Sequence, residues 1–540
     1  MKIEITYKLP GQHVITAREK ENEDYSLKLA AEKGRFRLSI VPKRQLILKK
    51  ASLTIKSDLS KAAGFFVNGY QSWTPAREYT PGEEMHSLNR VPGVILKRFS
   101  FDSYGDYWFR HYKRRELHGF TFAYTRDASD DCDLFGSLNE ENAFLIITYQ
   151  KDRDRIVLES DCEGRKIEEE FTLFDFVRYQ GKTQETLKRY FSHYGRCKAH
   201  AIRGYTSWYL DYQDISDKKI RRTLKSVDSG HFDLFQIDDG YETYVGDWMD
   251  IDPVKFPDGL SGIVEEIHGK GLQAGIWLAP FVCEKKSRIC TEHPDWLYRG
   301  KAGEPVLAGG NWSGFMPLDI RKQAVRQYIK ECLEFYLELG FDFFKLDFLY
   351  AAAMIKSSHY TRAEMMRYAM SLLRETLGDK LILGCGVQLS SAFNLVDYCR
   401  IGMDISLEFD DKFYMRPMHN ERISTKNTLQ NTIYRHCMDG TVFRCDPDVY
   451  LLRDDRISLT KEQKEAVVTL AHLCGSVYMT SDDPGRYDEE KKEMLARAQK
   501  LCGADIRSIG RYGALITIRY EKDGSEGLLT YDTQKGVILK

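Results

Sequence analysis

The 540-residue sequence lacks the features of several specialised protein classes. It has no apolar run close to the roughly eighteen residues of a membrane span, and its opening alternates like a strand, unlike a signal peptide. None of its 12 cysteines forms a Cys-x-x-Cys pair, which argues against a zinc knuckle and a disulfide framework. We therefore expect a cytoplasmic protein that has no membrane partner.

The sequence also lacks an excess of either charge. Its 79 Lys and Arg residues face 80 Asp and Glu residues, a formal net charge of −1. This balance gives no electrostatic reason to expect a nucleic acid or an anionic membrane as partner, so an uncharged substrate is favoured. No Gly-x-Gly-x-x-Gly follows a predicted strand and there is no P-loop, which disfavours a doubly wound open sheet.

The periodicity of apolar residues divides the chain into three parts. Alternation of period two dominates from residue 2 to about 183, short strands alternate with amphipathic helices after about 199, and strand-like alternation returns from 506. The pattern predicts a multidomain protein: a (β/α)8 TIM barrel with an N-terminal antiparallel β-sandwich and a small C-terminal β domain. The predicted domains are 1–198, 199–502 and 503–540.

Eight strands are predicted in the central part, which matches the strand number of a TIM barrel. The interval between the fifth and sixth strands has room only for a short helix, and a long helix is predicted over 321–340. The predicted strands are 202–208, 234–238, 273–279, 341–347, 381–385, 398–404, 442–445 and 477–481.

Carboxylates dominate the C-terminal ends of these strands, where the active site of such a barrel lies. No histidine lies at any of these ends. Four aspartates lie within two residues of a proline and are predicted to be turn or helix-capping residues: Asp446, Asp448, Asp482 and Asp483. The functional candidates are Asp238, Asp239, Asp347 and Asp404.

Asp347 and Asp404 are each predicted to share a strand face with a cation, Lys345 and Arg400 respectively. The fourth and sixth strands have the same parity, so the two aspartates should converge on one cleft. Their separation could suit a retaining glycosidase, at about 5–5.5 Å, or an inverting one, at about 6.5–9.5 Å. Lys345 would keep Asp347 ionised, whereas Asp404 needs burial and repulsion to outweigh Arg400 if it is to hold a proton.

Three of the 7 tryptophans lie where a sugar could bind. Trp208 and Trp277 are at the ends of the first and third strands, and Trp73 is in a turn-rich stretch of the N-terminal part. Aromatic faces suit the C–H faces of a sugar ring, and Asp238, Asp239 and Lys345 could bind its hydroxyls. A pocket with apolar aromatic walls and polar groups on one side is typical of a monosaccharide site.

The residues that carry these predictions resemble glycoside hydrolase family 36, the α-galactosidases, in its compact bacterial form. The similarity extends in order over residues 65–405, and the barrel-like pattern continues to about 485. The motifs are Val67-Asn-Gly-Tyr-Gln-Ser-Trp73, Gln236-Ile-Asp238-Asp239-Gly240-Tyr241, Gly275-Ile-Trp277-Leu-Ala-Pro280, Phe344-Lys345-Leu346-Asp347-Phe348-Leu349-Tyr350, Leu383-Gly-Cys385-Gly386 and Arg400-Ile-Gly-Met-Asp404.

The resemblance implies a retaining, exo-acting α-galactosidase that removes terminal α-linked galactose from small neutral oligosaccharides of the melibiose or raffinose type. Asp347 would be the nucleophile and Asp404 the acid/base. No metal and no cofactor is implied. The implied substrate-binding residues are Trp73, Trp208, Asp238, Asp239, Trp277 and Lys345, with Cys385, Gly386 and Arg400 near the 2-hydroxyl.

Other functions remain open at this point. An α-N-acetylgalactosaminidase or an α-galactosyl transferase would share the fold and the carboxylate pair. In a different class, a barrel enzyme could bind Mg²⁺ through Asp238, Asp239, Asp347 and Asp404, although Lys345 and Arg400 would repel the cation. A sugar-binding protein without catalysis is the third possibility. The sequence predicts no oligomeric state.

Overall fold

The computed structural model describes residues 1–88 and 91–539. Two antiparallel sheets of seven strands each form its N-terminal part. A hydrophobic cluster that includes Ile5 and Leu48 from one sheet and Leu38 and Phe176 from the other packs them face to face. The first sheet contains Lys2–Lys8, Val14–Ala17, Leu46–Lys56, Glu116–Phe120, Leu145–Gln150, Arg155–Ser160 and Lys166–Ile167; the second contains Tyr25–Glu32, Arg35–Pro42, Gly64–Val67, Arg77–Tyr79, Phe122–Arg126, Asp131–Ser137 and Phe171–Lys182.

A nine-stranded parallel sheet forms the central part. The strands at its two edges, Arg444–Asp446 and Val449–Tyr450, are separated in sequence only by residues 447–448, so the sheet curves back on itself like a TIM barrel. In chain order its strands are Ile202–Thr206, Leu234–Ile237, Gln273–Leu278, Phe343–Leu346, Leu381–Gly384, Tyr398–Arg400, Arg444–Asp446, Val449–Tyr450 and Val477–Thr480.

Helices connect most of the parallel strands, as the alternating pattern predicts. The long helix predicted over 321–340 is Gln323–Glu338, and Gly340 follows it with a left-handed φ of +94°. The α-helices of the described chain are Gly93–Phe99, Thr183–Phe191, Trp208–Asp211, Asp217–Leu224, Ser261–Gly269, Arg288–Glu292, Gln323–Glu338, Arg362–Leu377, Thr425–Arg435, Lys461–Cys474 and Glu489–Gln499.

Two smaller antiparallel sheets complete the fold. One pairs Val282–Glu284 with Phe315–Pro317, and the other contains the C-terminal strands Asp505–Tyr512, Leu515–Lys522, Ser525–Asp532 and Val537–Leu539. Single-turn 3-10 helices fill several connections, and Leu389–Ala392 is the short helix expected between the fifth and sixth barrel strands. Within the described residues, none of the helices has both the length and the apolar character needed to cross a membrane.

The coarse architecture predicted from the sequence is confirmed, while several strand ends differ. The sixth strand stops at Arg400 instead of reaching 404, and the first stops at Thr206 because Trp208 begins a helical turn. The seventh predicted strand is replaced by two short ones on either side of Pro447, since proline has no backbone N–H for the ladder. The domain limits at 198 and 502 stay predictions.

Candidate active site

Asp347 lies just beyond the fourth barrel strand, Phe343–Leu346. Its carboxylate accepts hydrogen bonds from two groups: the Phe348 backbone N–H at 2.8 Å and the Trp277 indole N–H at 3.1 Å. Asp347 is 8% exposed. These two N–H donors hold the carboxylate in a fixed orientation, which suits a nucleophile.

Lys345 contacts Asp238 instead of pairing directly with Asp347. Its Nζ lies 2.8 Å from Asp238 Oδ2, and both side chains are almost fully buried. Burial alone would lower the pKa of Lys345, but the charge of Asp238 outweighs burial and raises it above its usual value, so Lys345 stays protonated. The direct pairing of Lys345 with Asp347 that the sequence suggested is therefore replaced by a pairing of Lys345 with Asp238.

Asp404 lies four residues beyond the end of its strand, so the prediction that it shares a strand face with Arg400 is wrong. The two groups nevertheless meet, with Arg400 Nη1 2.9 Å from Asp404 Oδ1. The Asp404 side chain is 35% exposed and lines the cleft. Burial raises the pKa of Asp404, the nearby charge of Arg400 opposes this and that of Asp347 adds to it, with a net increase.

Asp238 and Asp239 follow the second strand and bind different partners. Asp238 Oδ2 accepts from Lys345, from Gln236 at 2.7 Å and from Thr206. Asp239 Oδ2 accepts from the Trp312 indole N–H at 3.0 Å. Burial and the charge of Asp238 raise the pKa of Asp239, while its hydrogen bonds oppose the increase. These residues form the polar edge of the site.

Trp73 reaches the barrel from the N-terminal part. Its loop is attached to the end of the fifth strand, where the Ser72 N–H donates to the Val387 carbonyl at 3.0 Å. A Cβ built on Gly386 would lie 2.7 Å from Trp73 Cη2, so the indole packs directly against this glycine. Cys385 beside it is 1% exposed, and burial followed by the charge of Asp347 raises the pKa of its thiol.

A cleft of about 700 Å³ is lined by Asp404 and Trp73, while Asp239 and Trp312 line a second pocket of about 260 Å³. Trp208 lies on the wall of the cleft, at the start of the helical turn Trp208–Asp211. Trp277 is deeper, 2% exposed, with its ring centroid 6.1 Å from that of Trp312. The walls of the cleft include Trp73, Tyr104, Trp208, Tyr212, Phe348 and Asp404.

The geometry can be compared with known proteins. The sequence pattern of the Melibiase family matches residues 190–381. "Alpha-galactosidase 1" of Pediococcus pentosaceus is 29% identical over 135 residues, which are 24% of this chain and 18% of that protein. The matched stretch thus covers about a fifth of the length of such relatives.

Solved structures extend the similarity over almost the whole chain. The Thermus thermophilus α-galactosidase TtGalA, in complex with p-nitrophenyl α-D-galactopyranoside, is 25% identical with a TM-score of 0.73, covering 93% of this chain and 98% of that one. The GH36 α-galactosidase AgaA from Geobacillus stearothermophilus is 12% identical with a TM-score of 0.64, covering 97% and 80% respectively. The chain is thus similar to α-galactosidases in sequence over part of its length and in fold over almost all of it, and one of these structures is an enzyme of glycoside hydrolase family 36.

Trp312 is a residue of the candidate site that does not lie at a strand end and was not predicted. It lies in a loop between the third and fourth strands, has a left-handed φ of +53° and contacts Asp239 and Phe348. Its neighbours Gly309, Gly310 and Gly314 are a turn-rich signal that could have drawn attention to it.

Asp446 and Asp448 form a turn, as predicted, in which the Asp448 N–H donates to Asp446 Oδ1 at 2.8 Å between two short strands. Their contacts with Arg400 were not predicted. Asp446 and Asp448 contact Arg400 at 2.9 Å and 2.8 Å. The prediction was also right for Asp483, which caps the 3-10 helix Pro484–Arg486. Arg400, expected near the sugar, is 4% exposed and bound to carboxylates.

Proposed function

We propose that this chain is a retaining, exo-acting α-galactosidase. The observation that carries the proposal is the contrast between two carboxylates, of which the charge of one acts on the other. Asp347 is bound by two N–H donors, which suits a carboxylate that attacks as a nucleophile. Asp404 has a raised pKa, which favours its protonated form, and it lines the open cleft. A nucleophile and a general acid need such different surroundings.

In the proposed reaction an Asp347 oxygen attacks the anomeric carbon and forms a covalent galactosyl-enzyme. As the bond between that carbon and the glycosidic oxygen breaks, its electron pair goes to the oxygen, which takes the proton of Asp404. Asp404, now ionised, removes a proton from water, and the water oxygen displaces Asp347 from the anomeric carbon. Both residues return to their starting states, and neither a metal nor a cofactor enters the reaction.

We propose that the sugar binds where the predicted residues converge. Asp238, Asp239 and Lys345 supply buried polar groups for the ring hydroxyls, while the three tryptophans Trp73, Trp208 and Trp277 supply apolar walls. Cys385 and Gly386 would face the 2-hydroxyl. The proposed place of Arg400 changes, because its guanidinium is engaged by carboxylates and would orient Asp404 in preference to touching the sugar.

The volume of the cleft supports an oligosaccharide as substrate. At about 700 Å³, with Tyr104, Tyr212 and Asn311 in its walls beside Asp404, it has space for more than one sugar unit. The T. thermophilus α-galactosidase, 25% identical to this chain, has a structure in complex with stachyose. We propose terminal α-linked galactose on small neutral oligosaccharides as the substrate.

The alternatives have less support. An N-acetylgalactosaminidase needs space for an acetamido group near Cys385 and Gly386, and Trp73 is packed against this wall. For magnesium, Lys345 and Arg400 pair with two of the four carboxylates that would have to bind the ion, Asp238 and Asp404. Galactosyl transfer remains the second activity of the same site. We also propose the domain division at 198 and 502 and a cytoplasmic location.

The proposal is tested with the Asp347→Ala variant. We expect the wild type to hydrolyse p-nitrophenyl α-galactoside and the variant to lose about a thousandfold or more in kcat. Azide should enter the space left by the carboxylate, restore release of nitrophenol and give β-galactosyl azide. Asp397→Ala is the control, because Asp397 pairs with Arg374 away from the cleft. Full activity of Asp347→Ala would contradict the assignment.

A further inference from the structure

A buried charge cluster surrounds Arg400 beside the proposed acid/base. The guanidinium meets three carboxylates: Nε lies 2.9 Å from Asp446, Nη1 2.9 Å from Asp404 and Nη2 2.8 Å from Asp448. The side chains of Arg400, Asp446 and Asp448 are 5%, 2% and 1% exposed, against 35% for Asp404. One cation therefore serves three carboxylates, of which two are sealed from water.

Asp448 is bound by more donors than Asp404. Its Oδ2 accepts from the Tyr209 hydroxyl at 2.5 Å and from the Ile405 N–H at 2.7 Å, while Arg400 lies at its Oδ1. Among residues 1–88 and 91–539, Arg400 is the one donor that hydrogen-bonds to the Asp404 carboxylate. Hydrogen bonds to a carboxylate favour its ionised form, so Asp448 is placed to keep its charge and Asp404 to hold a proton.

The backbone at Asp448 is strained in a way that serves these contacts. Its φ of +76° is left-handed, a conformation that non-glycine residues rarely adopt without a constraint. Its N–H donates to Asp446 Oδ1 at 2.8 Å, which joins the two buried carboxylates. Through the Ile405 N–H, Asp448 also fixes the chain immediately after Asp404. The cluster thus holds both the charge and the position of the proposed acid/base.

Several charges act on Asp404 from the surrounding elements. Burial raises its pKa, Arg400 and Lys345 lower it, and Asp347 and Asp238 raise it. An arginine at 2.9 Å without other partners would hold Asp404 as a carboxylate and prevent it from acting as an acid. The state of Asp404 therefore depends on how much of the Arg400 charge is already neutralised.

The charges of this cluster also act on Asp448. Burial and the charges of Asp404 and Asp446 raise its pKa to about 7, while Arg400 opposes the increase. The nearby cation Arg453 binds Asp482 and the Tyr209 carbonyl, so it is already neutralised. Above its pKa of about 7, Asp448 carries the negative charge that faces Arg400, and of the three carboxylates Asp404 is the one that lines the open cleft.

We propose that Asp448, together with Asp446, neutralises Arg400 and so allows Asp404 to hold and deliver its proton. This inference rests on the proposed function of Asp404 as the acid/base. Asp448 is then a positioning residue, because it acts on the reaction through Arg400 and Ile405 without touching the substrate. Its removal should change the pH dependence of the reaction, which a merely structural residue would leave in place.

The test uses Asp448→Asn, since asparagine has the same size and tolerates a left-handed backbone. Loss of one negative charge lowers the pKa of Asp404, and a general acid is active only while protonated. We expect the alkaline limb of kcat/KM for stachyose to move to lower pH by about one unit, a loss of about tenfold on that limb. p-Nitrophenyl α-galactoside should lose less, because its leaving group needs little protonation.

Asp482→Asn is the matched control. Asp482 is 1% exposed and paired with Arg453 at 3.0 Å, but it does not contact Arg400. The alkaline limb of kcat/KM for Asp482→Asn should therefore stay at the wild-type pH. If Asp448→Asn does not fold, Asp446→Asn makes the same charge change and should shift the limb in the same direction. An unmoved limb in the folded variant would overturn the inference. A wild type inactive on galactosides would instead contradict the proposed function.

Discussion

Four residues around the cleft have a left-handed backbone although they are not glycine. They are Tyr212, Trp312, Phe348 and Asp448, with φ between +50° and +76°. Such conformations cost about 1–3 kcal/mol each and persist only where neighbouring contacts impose them. Phe348 follows the proposed nucleophile and donates its N–H to it, while Trp312 donates to Asp239. The strain is therefore located where the site needs a donor aimed in a fixed direction.

The indole of Trp277 offers a prediction at this scale. Its N–H is one of the two donors to Asp347, and a hydrogen bond to a charged group contributes about 1.5–3 kcal/mol. We expect Trp277→Phe to lower kcat for p-nitrophenyl α-galactoside by about tenfold or more while Tm changes little. Trp296→Phe is the control, because Trp296 stacks on His293 outside the site. Equal kcat values for the two variants would argue against a role of the indole N–H.

The site could be predicted from the sequence wherever a functional residue closely follows a strand. Asp238, Asp239 and Asp347 were predicted in this way, and each follows its strand in the structure, while their roles stay predictions. Trp312 was missed because a loop positions it. The geometry around Arg400 could not be predicted, because its contacts with Asp446 and Asp448 depend on the curvature that brings the sixth and seventh strands together.

At the scale of elements, the loop that carries Trp73 is positioned by the segment after the fifth barrel strand. Besides the Ser72 contact, Gln71 forms a backbone bridge with Gln388. The close approach of Trp73 to this segment requires a residue without a side chain, and Gly386 has a left-handed φ of +54° there. The position of one pocket wall thus depends on a single glycine in another element.

Gly386→Ala should displace Trp73. The new Cβ would lie 2.7 Å from the indole, so we expect KM for stachyose to rise by about tenfold, in addition to a small loss of stability from backbone strain. Gly378→Ala is the matched control: its φ of +57° gives a similar strain, and nothing lies within 4 Å of its Cβ. Both variants should lose stability in thermal unfolding. A KM that rises equally in both would contradict the contact.

At the scale of the whole molecule, one buried arginine joins the N-terminal part to the barrel. Arg435 is fully buried and donates to Asn68 Oδ1 and to the carbonyls of Gly69, Gln71, Ser72 and Ile401. Burial lowers its pKa to about 9. Because four of these acceptors belong to the loop that carries Trp73, the charge is stabilised only when the two parts are assembled.

The architecture was largely predictable because periodicity records which faces are buried. Alternation in the strand Arg155–Ser160 and the helical spacing in Gln323–Glu338 both report local burial. The contact made by Arg435 could not be predicted, since its partners are more than 360 residues away apart from Ile401 and are mostly backbone carbonyls. Strand ends near Pro447 and Arg400 differ because curvature of the sheet ends the pairing early.

The central claim is that Asp347 receives the galactosyl group. The most direct test is to incubate the enzyme with a fluorinated α-galactosyl fluoride, whose intermediate is hydrolysed slowly, and to map the labelled peptide by mass spectrometry. We predict one fluorogalactosyl group per chain, attached to Asp347, and no label in Asp347→Ala. A label on another carboxylate, or turnover with inversion at the anomeric carbon and no label, would contradict the account.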